Sequence, residues 1–278
     1  MKNLIKFELY NIIRRKELKL VFFLLFSASI IDFILICYTY KGYPIETVRA
    51  FYDEFFLISP HALVGKQLYV VLFPIIVSLI YSDSLVIESK NNINNYIYTR
   101  TRKSNHILAK VTVNFGVVFL CLFTCLFVNF ILTKLTFPDI SGSNLYGTPS
   151  SILYSLEGLK NLSESSSLYL IDKISVYNKN IYILLIIILK SIAGGLLATL
   201  SLALSTILKK NRIISIFSVF ILINLMLLIG HLLPQIFSVD KFIDFENNSS
   251  ILSYTIVSLV VLSASIIIFR KWIQKDSI

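Results

Sequence analysis

Side chains that could perform acid–base, nucleophilic or metal chemistry are few in this chain and stand far apart. The three histidines are His61, His106 and His231, and none belongs to a His-Glu-x-x-His metal motif. No Gly-x-Ser-x-Gly turn presents a nucleophilic serine. Asp83 and Glu88 could act as a general acid and base, but charged residues at the end of a helix are usually solvated. The sequence therefore predicts no catalytic residues and no metal site, and an intramembrane enzyme is the least favoured reading.

The chain also lacks a loop of its own for cradling a nucleotide phosphate. Such a loop reads Gly-x-x-x-x-Gly-Lys-Ser/Thr, in which backbone N–H groups and the lysine hold the phosphates. The nearest match is Gly65–Lys66, but Gln67 follows it and Pro60 stands where the first glycine belongs. We therefore expect this chain to bind no nucleotide and to carry no cofactor of its own.

Composition indicates a membrane protein. Of the 278 residues, 56 % are hydrophobic and only 15 % are charged, whereas soluble proteins have about 25 % charged residues. Several apolar runs exceed the ~18 residues that a membrane-spanning helix needs. The sequence predicts an all-α, polytopic membrane protein, with one transmembrane domain over 1–278 and six transmembrane helices. The predicted spans are residues 19–40, 67–87, 107–133, 181–208, 213–237 and 251–269.

Basic residues set the predicted orientation, because Lys and Arg collect on the cytoplasmic side of membrane proteins. Placing both termini inside puts most of the 26 Lys and Arg residues in cytoplasmic segments. The net charge of +10 then reflects topology, and nucleic-acid binding is not expected. Residues 1–17 mix basic and apolar side chains, which predicts either an amphipathic helix on the inner membrane surface or a plain charged leader. The predicted outer segments are residues 41–66, 134–180 and 238–250.

Ionisable side chains inside the predicted spans are a second set of candidate functional residues. They are Asp32, Lys190 and His231, and such residues usually face the protein interior because lipid solvates charge poorly. Asp32 and Lys190 lie at similar predicted depths, so they could form an ion pair; alternatively, Lys190 could extend its ammonium group toward the outer surface. His231 is expected to make an interfacial hydrogen bond. All three cysteines, Cys37, Cys121 and Cys125, fall in or beside apolar runs and are predicted to be buried free thiols.

The loop over residues 88–106 carries the most specific pattern in the sequence. Glu88 opens it at the end of the second span, Tyr98-Thr99-Arg100 and Arg102 form a basic turn, and Lys110 begins the third span. This pattern resembles the first cytoplasmic loop of the permease subunits of type-2 ABC exporters. The six-span layout and the N-terminal surface helix are similar too. The sequence departs from the family at Lys90-Asn91, where a Gly-Thr pair is common.

The resemblance implies that residues 88–106 form a coupling loop whose short helix docks on a separate ATP-binding cassette subunit. Tyr96, Ile97 and Tyr98 would be the apolar anchors of that interface. Glu88, Arg100, Arg102 and Lys103 would supply its polar groups. The alternative is an ordinary loop whose basic residues only set topology.

The expected function is that of an ABC exporter permease in a bacterial cell membrane, with ATP and magnesium bound by the partner subunit. A second copy of the permease, or a homologous permease, would complete the transporter in the lipid bilayer. The cargo would be amphipathic: a peptide, an antimicrobial compound or a lipid-like molecule. The competing hypothesis is a membrane scaffold or accessory subunit that binds partners without transport.

Overall fold

A computed structural model describes residues 1–44, 48–139, 174, 178–208, 211–230, 242 and 251–275, and every regular element in these ranges is a helix. The predicted all-α class is confirmed for this part of the chain. His231 and most of the predicted outer segments 134–180 and 238–250 lie outside the described residues. The helices are α1 (Lys2–Ile13), α2 (Lys16–Thr39), α3 (Val64–Val70), α4 (Phe73–Leu79), α5 (Ser84–Lys90), α6 (Ile93–Arg100), α7 (Lys103–Thr136), α8 (Lys179–Ile207), α9 (Arg212–Gly230) and α10 (Ile251–Lys275).

Four of the described helices are long and apolar enough to cross a membrane. They are α2, α7, α8 and the Ser253–Gln274 part of α10, and they correspond to the first, third, fourth and sixth predicted spans. The apolar part of α9, Arg212–Leu228, is shorter than these four. Residues 231–237 of the predicted fifth span lie outside the described residues.

The predicted second span, residues 67–87, is not one helix. The chain forms α3, α4 and α5 there, with breaks around Val71–Leu72 and around Ile80–Asp83. Pro74 lies in the first turn of α4, where the backbone N–H that proline lacks would have no partner within the helix. In the interior of one continuous helix, the same proline would remove a backbone hydrogen bond. The run was predicted as one span, and the structure divides it into three short helices.

Asp32 of α2 holds the start of α3. Its carboxylate accepts hydrogen bonds from the backbone N–H groups of Val64, at 3.0 Å, and of Gly65, at 2.5 Å. It therefore caps a neighbouring helix whose first N–H groups have no partner within that helix. The ion pairs among the described residues do not join Asp32 to Lys190, whose ammonium group lies 4.2 Å from the centre of the Phe73 ring. The predicted partner of Asp32 was wrong, and its inward orientation is confirmed.

Part of the predicted outer segment 41–66 is buried. Phe51, Phe55 and Phe56 are at most 2 % exposed, and the Phe51 N–H donates to the Pro138 carbonyl at 3.0 Å. Glu54 is fully buried there, and it accepts hydrogen bonds from the hydroxyl groups of Tyr40 and Ser59. This aromatic segment therefore packs into the end of the bundle where α2 ends and α8 begins.

Helix α8 lies at the centre of the bundle. In its most apolar stretch 67 % of the residues are buried, against 22–39 % for the other three long helices. It packs on α4, α5, α7, α9 and α10. A Cβ atom on Gly195 would come within 2.6 Å of the Phe115 ring, and one on Gly194 would collide with Leu122. These glycines therefore let α8 approach α7, because small residues permit close helix contact. The three cysteines are free, as predicted; Cys121 and Cys125 are buried, whereas Cys37, which was also predicted to be buried, is half-buried.

Candidate functional site

Five ionisable side chains that are widely separated in sequence meet inside the protein, where α1, α5 and α7 converge. We call this end of the bundle, which also contains α6 and the end of α10, the basic end. Glu88 is 9 % exposed, and the other four residues are at most 1 % exposed. Together they form the buried ionic cluster: Glu8, Tyr81, Glu88, His106 and Lys110.

The contacts within the buried ionic cluster are close and reciprocal. The ammonium group of Lys110 donates to Oε1 of Glu88 and lies 3.4 Å from Oε2 of Glu8. The Tyr81 hydroxyl donates to the same Glu8 oxygen. The imidazole of His106 lies between the two carboxylates, with Nε2 3.2 Å from Glu88 Oε2 and Nδ1 3.5 Å from Glu8 Oε1. Glu8 therefore has three partners within the cluster, and Glu88 has two.

Local sequence explains how each helix delivers its side chain. His106 and Lys110 are four residues apart in α7, so they lie on one helical face and point at the same neighbour. Glu88 stands in the last turns of α5, which faces that side of α7. Helix α1 packs along α7 and buries Ile12 beside Glu8. Its basic side chains Lys2 and Lys6 are exposed, as is Arg14 directly after it.

The opposite charges of the buried ionic cluster stabilise one another because the helices hold these side chains in contact. Burial raises the pKa of the Glu88 carboxyl, but the hydrogen bond with His106 and the charge and hydrogen bond of Lys110 outweigh it, so the pKa lies below its ordinary value. Glu8, Glu88 and His106 place potential metal ligands within 4.8 Å of one another. The Lys110 ammonium already contacts both carboxylates, so the chain supplies its own cation at this position.

A second chain of ion pairs adjoins the buried ionic cluster. Asp83 accepts a hydrogen bond from Arg15 and forms an ion pair with Arg212. Arg212 also pairs with Glu17. These alternating acidic and basic side chains connect α2 and α9 to the turn before α5. Asp83 is fully buried and Glu88 nearly so. The expectation that Asp83 and Glu88 are solvated was therefore wrong. The basic residues that surround them come from distant parts of the chain, so the local sequence does not show them.

The predicted coupling segment contains a short helix, α6, set off from its neighbours by sharp turns. Asn92 precedes it with a φ of 56°, a left-handed conformation that Asn adopts more readily than other non-glycine residues. Tyr96 is 76 % exposed, whereas Ile97 and Tyr98 are half-buried. The Tyr98 ring packs edge-on against the imidazole of His106, with 6.0 Å between centroids. Helix α6 is therefore seated directly on the cluster.

A groove of about 450 Å³ separates α6 from α1. The imidazole of His106 belongs to its lining, so the groove reaches the edge of the cluster. Its lining residues are Leu4, Phe7, Tyr96, Ile97, Arg100, Thr101 and His106.

The structure separates the three basic residues predicted at this loop. Arg100 and Arg102 are exposed. Lys103 is half-buried instead, and its ammonium group donates to the backbone carbonyl of Trp272 at 3.0 Å. Only the first two present their charge to solvent.

Sequence reasoning missed Glu8, Tyr81 and His106. One signal was available: Glu8 is the only acidic residue in the basic, apolar stretch before Glu17. A second was the His106–Lys110 spacing on one helical face. Neither signal indicates which distant residue completes the cluster.

Comparison with known proteins adds no identity. No family model, curated protein or solved structure matches this chain. The resemblance to type-2 ABC exporters therefore rests on the residues between Glu88 and Lys110 and on the helix layout.

Proposed function

We propose that this protein is the membrane-spanning permease subunit of an ABC exporter, located in a bacterial cell membrane with its basic end in the cytoplasm. ATP and magnesium bind to a separate ATP-binding cassette subunit. A second copy of this chain, or a homologous permease, completes the translocation path. The cargo is amphipathic: a peptide, an antimicrobial compound or a lipid-like molecule.

The observation that carries this proposal is the exposure of α6. It is an eight-residue helix between α5 and the long helix α7, and it presents the large aromatic side chain of Tyr96 to solvent with Arg100 one turn further on. Exposed aromatic and arginine side chains are the residue types that most often anchor protein interfaces. A loop that only set topology would need its positive charges and not an exposed tyrosine.

The seating of α6 supports a role in transmitting force. Tyr98 rests on His106, and His106 contacts Glu8 of α1 and Glu88 of α5. Buried ion pairs tolerate little displacement, because separating the partners leaves desolvated charge. A movement of α6 imposed by an ATPase would therefore carry α1, α5 and α7 with it.

The non-transporting scaffold is the competing function, and a single set of experiments separates the two. A candidate ATP-binding cassette subunit from the same genome is co-expressed with this chain in a background without Cys37, Cys121 and Cys125. Single cysteines placed along residues 88–103 are then tested for cross-linking to the ATPase, and ATP hydrolysis is measured in vesicles with and without the permease.

Cross-links that cluster at α6, together with permease-dependent ATP hydrolysis, are the expected result. Cross-links without any change in hydrolysis favour the scaffold. The transporter proposal fails if no position in 88–103 cross-links to the ATPase.

A further inference from the structure

Lys103, at the start of α7, makes contacts within the protein that the neighbouring exposed residues Arg100 and Arg102 do not share with it. Lys103 was expected to join Arg100 and Arg102 on the surface that meets the ATPase. Its ammonium group instead donates to the Trp272 carbonyl at 3.0 Å and lies 3.8 Å from the centre of the Trp272 indole. The same group is 6.0 Å from the centre of the Tyr98 ring.

The partner carbonyl belongs to the last described turn of α10, which contains Trp272. A positive charge toward the C-terminal end of a helix opposes the negative end of the helix dipole. The indole adds a cation–π contact, which is strongest for tryptophan. Two independent interactions thus hold one ammonium group.

A small hydrophobic cluster lies beside this contact and links it to the centre of the bundle. Its buried members come from α5, α7, α8 and α10, and Trp272 and Ile273 pack against it. Helix α10 in turn packs along α8. The buried members are Leu85, Ile107, Leu202, Ala203 and Phe269.

We propose that Lys103 is a positioning residue that latches the α6–α7 turn to the C-terminal end of α10. The latch makes α10 and α8 follow α6 when α6 moves, and it removes Lys103 from the surface that meets the ATPase. Its role in transport rests on the proposed function. The latch itself is a contact within one chain, so it can be tested without any ATPase.

The test measures the distance between α6 and α10 in the full-length protein reconstituted in lipid vesicles. Spin labels are attached to cysteines replacing the exposed residues Thr99 and Lys271, in a background without native cysteines. Pulsed electron resonance then gives the distance distribution. The variant is Lys103→Met, and the matched control is Arg102→Met, which removes an exposed charge one residue away.

A single narrow distribution is expected for the parent and for Arg102→Met. Lys103→Met should broaden it and lengthen its mean, and Lys103→Arg should restore the narrow distribution because arginine keeps the cation and the donors. Should Lys103→Met not fold, Trp272→Leu removes the indole and should broaden the distribution as well. A distribution that these replacements of Lys103 and Trp272 leave unchanged overturns the latch, whatever the outcome of the ATPase experiments.

Discussion

The ammonium group of Lys110 donates a hydrogen bond to Oε1 of Glu88, 22 residues earlier in the chain, with Lys110 fully buried and Glu88 nearly so. Glu8 lies 3.4 Å from the same nitrogen, so one cation serves two carboxylates from two different helices. The position of α6 depends on this arrangement, because Tyr98 of α6 packs on His106, and His106 lies between those carboxylates.

Removing the shared cation should destabilise the protein strongly. Lys110→Met leaves two buried carboxylates facing each other, and losing one partner of a buried ion pair costs about 3–5 kcal/mol. Adding Glu88→Gln should recover part of the loss, since Glu8 is then the only buried carboxylate of the cluster and keeps Tyr81 and His106 as partners. Thermal unfolding in detergent measures both, with Lys90→Met as the exposed-lysine control. Strictly additive losses would show that Lys110 and Glu88 do not interact.

Acid should weaken the same cluster. The pKa of Glu88 is lowered in the folded protein, so its ionised form contributes stability above the ordinary carboxyl value of 4.5, and that contribution is lost as the pH falls through the folded-state pKa. The melting temperature of the parent should therefore exceed that of Glu88→Gln most clearly near neutral pH, and the difference should shrink below pH 4.5. A difference that stays constant from pH 7 to pH 3 would contradict this assignment.

Two glycine replacements should have opposite effects. A Cβ atom on Gly65 would collide with Oδ2 of Asp32, whereas a Cβ atom on Gly116 in α7 meets nothing within 4 Å. Gly116→Ala should stabilise the protein by about 0.4–1 kcal/mol, because alanine has less conformational freedom to lose in a helix. Gly65→Ala should destabilise it by about 1–3 kcal/mol through overpacking. Melting temperatures in one detergent check both, and equal shifts would exclude the Asp32 cap.

The two tyrosines of α6 should separate binding from stability. Tyr96→Ala removes a side chain that is 76 % exposed, so it should leave the melting temperature unchanged and weaken co-purification of the ATPase. Tyr98→Ala removes the ring that packs on His106, so it should lower the melting temperature. Undiminished ATPase recovery with Tyr96→Ala would remove Tyr96 from the proposed interface.

The prediction that residues 67–87 cross the membrane, although they form a broken segment, can be tested directly. Lys41 follows α2 and Lys90 ends α5, and both are exposed at opposite ends of the bundle. On intact cells, an impermeant thiol reagent should label Lys41→Cys and not Lys90→Cys, in a background without native cysteines. Equal labelling of the two positions would mean that residues 64–90 do not cross, and reversed labelling would invert the predicted orientation.

Sequence alone determined the helical class and the location of the long apolar helices. Composition and run length suffice for α2, α7, α8 and α10, because a helix satisfies its own backbone hydrogen bonds and needs only a continuous apolar stretch. The short helix between Glu88 and Lys103 was also predicted correctly. These features are local, so the residues that determine them are neighbours in the chain.

Tertiary structure decided everything that depends on contact between distant residues. An apolar run indicates that a segment is buried, but not whether lipid or protein covers it. The breaks between the helices of 67–87 and the burial of part of the outer segment 41–66 were therefore not predicted. The partners of Asp32, Glu88 and Lys103 are likewise set by helix packing. Buried charge is stable only beside an opposite charge or a hydrogen-bond donor, and the sequence does not state which helix brings it.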